Sequence, residues 1–350
     1  MSLCLAAVSL GPETYGSIIN PASRAAIVGL KPAVGVVSRY GVYPVSRLQD
    51  TVGVMAISVL DAATVLNVIA GQDMLDPITL QDPRDKHPVV RPPDYTDACA
   101  SNDLSGLRIG APRHLLSSDP VKKHHFEEAL SVLSNLGATI VDNVQFSEFR
   151  QGYYENNKDE WERSFLVELR QNMKDYLADF ETNPERLHSL RDVIDYTAAT
   201  PGEAGVEYGV EAWKKAERFS QESPPGSSEY RASEERRRRM AQQIPELLGR
   251  AECDLIVLTG ATDTTSEVGG CPCLSVPLGR YPDDQKVEKN KFGHVSTGPN
   301  NPFGILFVGR RHSDMTLLKV GHALEQATNV RKSIKPVIEP EENAEKDFKI

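Results

Sequence analysis

Ser17 stands between Gly16 and Ile18 in the segment Gly11-Pro12-Glu13-Thr14-Tyr15-Gly16-Ser17-Ile18, a setting in which a serine hydroxyl can attack a carbonyl carbon. Such a hydroxyl is a weak nucleophile until a neighbouring base takes its proton, and the oxyanion it creates needs donors already in place. The segment can supply donors. An apolar run from Leu3 to Leu10 reads as a strand, Gly11 and Pro12 break it into a tight loop, and successive N–H groups of such a loop form an anion-binding nest. Taken alone, a serine between glycine and isoleucine reads first as an ordinary turn residue. The pair in Cys271-Pro272-Cys273 invites a metal or redox reading. No set of cysteines and histidines has zinc-ligand spacing, so neither a metal nor a cofactor is expected.

The elements that must position this loop follow from the pattern of the chain. A helix is expected near Ser58–Ala70, closed by Gly71. After a Pro-rich connector at His87–Tyr95, Leu107–Gly110 reads as a strand, Asp119 as an N-cap with Pro120 behind it, Val121–Leu136 as a helix ended by Gly137, and Ala138–Val141 as a second strand. This βαβ unit argues for an α/β fold whose sheet is covered by helices on both faces. Residues 146–250 are charged, aromatic-bearing and helical in pattern, with a turn-rich break at Ser220–Glu229. Buried strands return at Asp254–Leu258, Leu274–Pro277 and Asn301–Gly309, and a helix at Asp314–Ala327 closes the core. From Glu339 the chain is polar, as frayed ends are.

The 350 residues suffice for a large core and carry a formal net charge of −10, which argues against a nucleic-acid or anionic-membrane partner. The one basic run, Arg236–Arg239, follows Glu234-Glu235 on an expected helix and reads as a solvated face. Five cysteines, at 4, 99, 253, 271 and 273, are an odd number and suggest reduced thiols in a cytoplasmic setting. No signal peptide is recognisable in Met1–Val8, and no apolar stretch is long enough to span a bilayer.

Beyond composition, residues 8–55 carry a longer pattern: Gly11, Glu13, Thr14, Gly16, Ser17, Pro21 and Ala22, then Gly29, Lys31 and Pro32, then Pro44-Val45-Ser46 with Gln49-Asp50-Thr51-Val52-Gly53-Val54-Met55. This resembles the second half of the amidase signature, in its peptide-amidase-like and fungal branch. Val268–Pro277 and Asn301–Gly309 resemble two further strands of that family. The resemblance implies an amidase-signature-type mixed sheet, with Ser17 as nucleophile and the backbone N–H groups of Thr14, Tyr15, Gly16 and Ser17 as oxyanion hole. It implies hydrolysis of a small-molecule carboxamide through a serine acyl-enzyme. Two positions depart from the pattern: Pro12 replaces threonine and removes one N–H, and Tyr15 places a ring where aspartate is usual.

In the family, a base lysine and a bridging serine in a Gly-Gly-Ser-Ser-Gly-Gly loop lie upstream of this block, and neither can be placed in the chain. It therefore resembles the C-terminal two-thirds of such an enzyme. The alternatives are an inactive amidase-fold binding or scaffold protein, or an amidotransferase component acting on glutamine. The expected organisation is a half-domain of the signature core at 1–85, a connector and βαβ unit at 86–145, a variable helical region near the substrate cleft at 146–250, a return to the core at 251–330, and a polar tail at 331–350. Tyr153, Tyr154, Trp161, Tyr208 and Trp213 are candidate pocket residues by that resemblance, although aromatic rings of this size more often fill cores.

Overall fold

A computed structural model describes residues 6–80, 92–148, 158–259, 268–290, 293 and 295–334, with only the backbone described at Val206 and Tyr208. Its strands are β1 (Val8–Glu13), β2 (Val28–Lys31), β3 (Thr51–Ala56), β4 (Arg108–Ala111), β5 (Thr139–Asp142), β6 (Leu255–Thr259), β7 (Cys273–Arg280), β8 (Glu288–Lys289), β9 (Val295–Thr297) and β10 (Pro302–Gly309). Eight of them form one mixed sheet in the order β1-β3-β2-β7-β10-β6-β4-β5, and a separate two-stranded sheet pairs β8 with β9. The expected βαβ unit is present. β4 and β5 are parallel, and between them α3 (Pro120–Asn135) starts at Asp119, whose side chain accepts from Val121 N–H and Lys122 N–H. The chain leaves that helix through Gly137 at φ +102°.

Period-two alternation in the central strands divides the core into two layers. On β6 and β10, Leu255, Val257, Ile305 and Phe307 face one cluster, shared with α2 (Val59–Ile69), α3 and α10 (Asp314–Thr328). Ile256, Leu258, Leu306 and Val308 face the other, with Ile19 of α1 (Ile19–Arg24) and Ile244, Leu247 and Leu248 of α9 (Gln243–Arg250). Both faces are thus covered, as the α/β pattern predicts. Cys271 and Cys273 are buried in the second cluster. They serve there as small apolar residues.

The helical region contributes α4 (Lys158–Ala178), α5 (Leu190–Ala199), α6 (Gly205–Tyr208), α7 (Glu211–Glu222) and α8 (Ser228–Ala241). Leu166, Leu169, Met173, Ile194 and Phe219 form its own core. The turn-rich break is shorter than expected. α7 runs on to Glu222, and α8 begins at Ser228 with Ser227 as its N-cap.

Three expectations need correction. Gly11 and Pro12 do not break the first strand; they lie inside β1, opposite Gly53 and Val52 of β3. Among the described residues β1 stands at one end of the sheet, bonded to β3, and such a position is where a residue without N–H is tolerated. The reversal comes at Gly16, at φ +77°. The run Arg236–Arg239 is not simply a solvated face. Arg237 is 3% exposed, Arg236 pairs with Glu160, and only Arg238 and Arg239 face water. The helix near residue 58 ends not in a left-handed glycine but at Ala70, whose extended backbone bridges Val37. Glu339 onward lies outside the described residues.

Two consequences can be measured. A Cβ at Gly53 would fall on the Leu30 carbonyl oxygen and within 2.7 Å of Ile18 Cδ1, in a layer with no slack. Gly53→Ala is expected to cost at least about 3 kcal/mol, the upper part of the overpacking range, read as a lowered urea midpoint. The second concerns Glu325 on α10. Its carboxylate accepts from Val59 N–H at 3.1 Å through either oxygen, and burial pushes its pKa up to about 7. The folded state therefore holds a proton that the unfolded chain has released, and stability falls as pH rises from about 4.5 to 7. Glu325→Gln is expected to remove a decline on the order of 1–3 kcal/mol, seen by comparing unfolding at pH 5 and pH 8.

Candidate active site

The loop Thr14–Ile18 joins β1 to α1, and its conformation is dictated by two carboxylates. Glu13, at the end of β1 and 1% exposed, turns its Oε2 onto Ile18 N–H at 2.6 Å and Ile19 N–H at 2.9 Å. It thereby serves the first amides of a helix that Ile18 itself does not cap by a side chain. The second carboxylate is Asp50. Its Oδ1 accepts from the Thr14 hydroxyl, and its Oδ2 accepts from Val45 N–H at 2.7 Å and Ser46 N–H at 2.8 Å. Burial pushes the Asp50 carboxyl above its usual range, and the hydrogen bonds from Thr14, Val45 and Ser46 work against that rise. Gln49 adds a longer contact from its amide to the Thr14 carbonyl at 3.4 Å.

With the Ile18 and Ile19 amides taken by Glu13, the remaining donors of the loop are those before the helix. None of the described residues accepts from the N–H of Gly16 or Ser17. Ser17 is exposed, whereas Gly16 and Ile18 on either side are buried. The Tyr15 side chain is 40% exposed. The structure thus gathers Thr14, Tyr15, Gly16 and Ser17 in one turn, with the serine outward and its neighbours anchored.

Lys31 reads from the sequence as a solvated or structural lysine, and the structure selects the second. It is fully buried, and its Nζ donates to the Cys271 carbonyl at 2.7 Å. Beside it, Asp314 accepts from Ala33 N–H at 2.9 Å, and burial raises its carboxyl above the usual range. Arg311 donates to the Val34 carbonyl at 2.8 Å, and desolvation lowers its pKa to about 10. These three charges hold the turn that follows β2.

Asp50 also lines a cavity of about 620 Å³, whose wall includes Arg39, Tyr40, Tyr43, Leu48, Asn172 and Tyr176. Trp213 stands beside Tyr43 of this wall. Trp161 does not; it is 3% exposed and packs with Met240 and Val268. Tyr153 and Tyr154 lie outside the described residues, as does the side chain of Tyr208. A larger cavity of about 1060 Å³ lies elsewhere, between α3 and the end of β7. Sequence reasoning did not anticipate the roles of Glu13 and Asp50 as anchors of the loop. Their positions within the motif were visible, but their hydrogen bonds were not. Among the described residues no group of three or more His, Cys, Asp or Glu side chains is placed to hold a metal ion.

Comparison with known proteins bears on the chain as a whole. A protein of Arthroderma benhamiae, provisionally named an amidase, is 34% identical over 345 residues, covering 97% of this chain and 56% of its own length. A component of the glutamyl-tRNA(Gln) amidotransferase of an Exiguobacterium strain is 28% identical over 328 residues, covering 91% and 64%. The crystal structure of peptide amidase from Stenotrophomonas maltophilia superposes with a TM-score of 0.77 at 30% identity, over 94% of this chain and 64% of that one. The chain therefore spans less than two thirds of the length of these relatives. The amidase family profile matches residues 2–318, and with the sheet and the serine loop just described, the chain belongs to the amidase signature family.

Proposed function

We propose that Ser17 is the nucleophile of a carboxamide hydrolase, acting in this chain or in a longer protein of which it is a part. The observation that carries this reading is the exposed hydroxyl of Ser17 on a turn whose neighbours are buried and bonded. In the reaction, a base takes the Ser17 hydroxyl proton as Oγ forms a bond to the amide carbon, the carbonyl oxygen becomes an oxyanion facing the N–H groups of Gly16 and Ser17, and the base later passes that proton to the leaving nitrogen. The C–N bond then breaks, the nitrogen leaves with a proton as the amine, and water releases the acid from the acyl-enzyme. The substrate class is a small linear amide, in keeping with the likeness to a peptide amidase. The serine loop needs no metal for this route, because backbone donors can carry the developing charge.

A second reading is a binding or scaffold protein on the same fold. The ammonium group of the signature segment is committed to the Cys271 carbonyl inside the core, so Ser17 must take its base from elsewhere. Treating the full chain with a fluorophosphonate and mapping the adduct by mass spectrometry separates the two. The hydrolase reading expects an adduct on Ser17 that Ser17→Ala abolishes. It also expects the labelling rate to rise by about 10²–10⁴-fold, the usual worth of general-base assistance, in a longer form carrying the base lysine and bridging serine. A folded protein that stays unlabelled in both forms leaves the binding reading.

A further inference from the structure

We propose that Arg237, on α8, is a positioning residue for the Thr14–Ser17 loop. It would couple the helical region to that loop through the turn Val45–Asp50. The proposal rests on the reading of this loop as the oxyanion-binding element, but its test does not require Ser17 to react.

Arg237 is 3% exposed and divides its guanidinium between two partners. Nη1 faces α4, donating to Glu168 Oε1 at 2.7 Å and to Ser164 Oγ at 3.3 Å. Nη2 faces the turn, donating to Ser46 Oγ at 3.0 Å and to Gln49 Oε1 at 3.1 Å. The Ser46 hydroxyl in turn donates to Glu168 Oε2 at 3.1 Å, closing a ring of polar contacts. A buried cation of this kind persists only when paired and hydrogen-bonded, and Glu168 supplies the opposite charge.

The turn so gripped is the one that holds the loop. Gln49 N–H and Asp50 N–H both donate to the Ser46 carbonyl, at 3.2 and 2.9 Å, making Ser46–Asp50 a compact unit. Its far side presents the Gln49 amide to the Thr14 carbonyl and the Asp50 carboxylate to the Thr14 hydroxyl. Arg237 and Thr14 therefore meet at opposite faces of one turn, although they lie 223 positions apart in sequence. The planar fork of arginine suits this role. One nitrogen keeps the charge pair while the other fixes the turn, and a lysine cannot do both.

Hydrogen exchange of the full chain, read by mass spectrometry on peptides covering residues 14–20, tests this with three variants. Gln49→Met removes the relay and leaves the Arg237–Glu168 pair intact. Arg237→Lys retains the charge pair, and Arg237→Met removes both. The expected result is that all three speed exchange in the loop several-fold, while peptides from β7 and β10 exchange as before. Gln49→Met combined with Arg237→Lys is expected to add little, since the two act through one path. The proposal is overturned if Arg237→Lys restores loop protection, if Gln49→Met leaves the loop unchanged, or if β7 and β10 loosen to the same extent.

Discussion

Helix α1, which carries Ser17 at its entrance, lies against the sheet at a separation that only glycine permits. A Cβ at Gly29 would stand 2.6 Å from Ala22 Cβ, and one at Gly304 would stand 3.1 Å from Ser23 Oγ. Across the Gly304 contact, Ser23 of α1 accepts from Gly304 N–H at 2.8 Å, so the helix is hydrogen-bonded directly to a central strand. Ile18, Ile19 and Ala22 are buried as a result. The glycines of three separated motif fragments, Gly29 after α1, Gly53 on β3 and Gly304 on β10, thus answer one requirement: a short helix, with Ile18 at its entrance, pressed closely onto the sheet. Close packing of this kind transmits small volume changes instead of absorbing them.

A helix of six residues has little stability of its own, because nucleation is unfavourable and only packing offsets it. Its position is therefore set from outside, by Glu13 at its first amides, by Ser23 against β10 and by the apolar contacts beneath. The charges around the turn after β2 serve the same layer from the opposite end. Lys31, Arg311 and Asp314 each bond a backbone group: Asp314 and Arg311 serve Ala33 and Val34 just past β2, and Lys31 serves Cys271 just before β7. Buried groups without such partners would destabilise the core by several kcal/mol each. The lysine of this segment is thus explained by backbone satisfaction alone.

The parts of the fold legible in the sequence were those governed by short-range rules. Asp119-Pro120 announced a helix start, Gly137 its end, and the alternating apolar strands after Cys253 announced a sheet buried on both faces. The misread parts were those where long-range pairing decides. Gly11 and Pro12 look like a break until β3 lies beside them, and a position at one end of the described sheet removes the objection to proline. Arg237 looks like one charge among four until Ser46, Gln49 and Glu168 surround it. In the candidate site, the position of the serine loop was readable, whereas its anchoring was not. Nothing in a linear pattern indicates that one glutamate will turn back on the helix that follows it.

These anchors differ in reach, and that difference orders their consequences. Glu13 acts within six positions and fixes which amides remain free in the loop. Asp50 acts across 36 positions and fixes where the loop stands relative to β3. Ser23 acts across 281 positions and ties the same element to the strand at the centre of the sheet. A turn held only by its own residues would share the mobility usual for surface loops. Held from three directions, it keeps its outward serine and inward neighbours in one arrangement, which is the preorganisation that the proposed oxyanion binding would require.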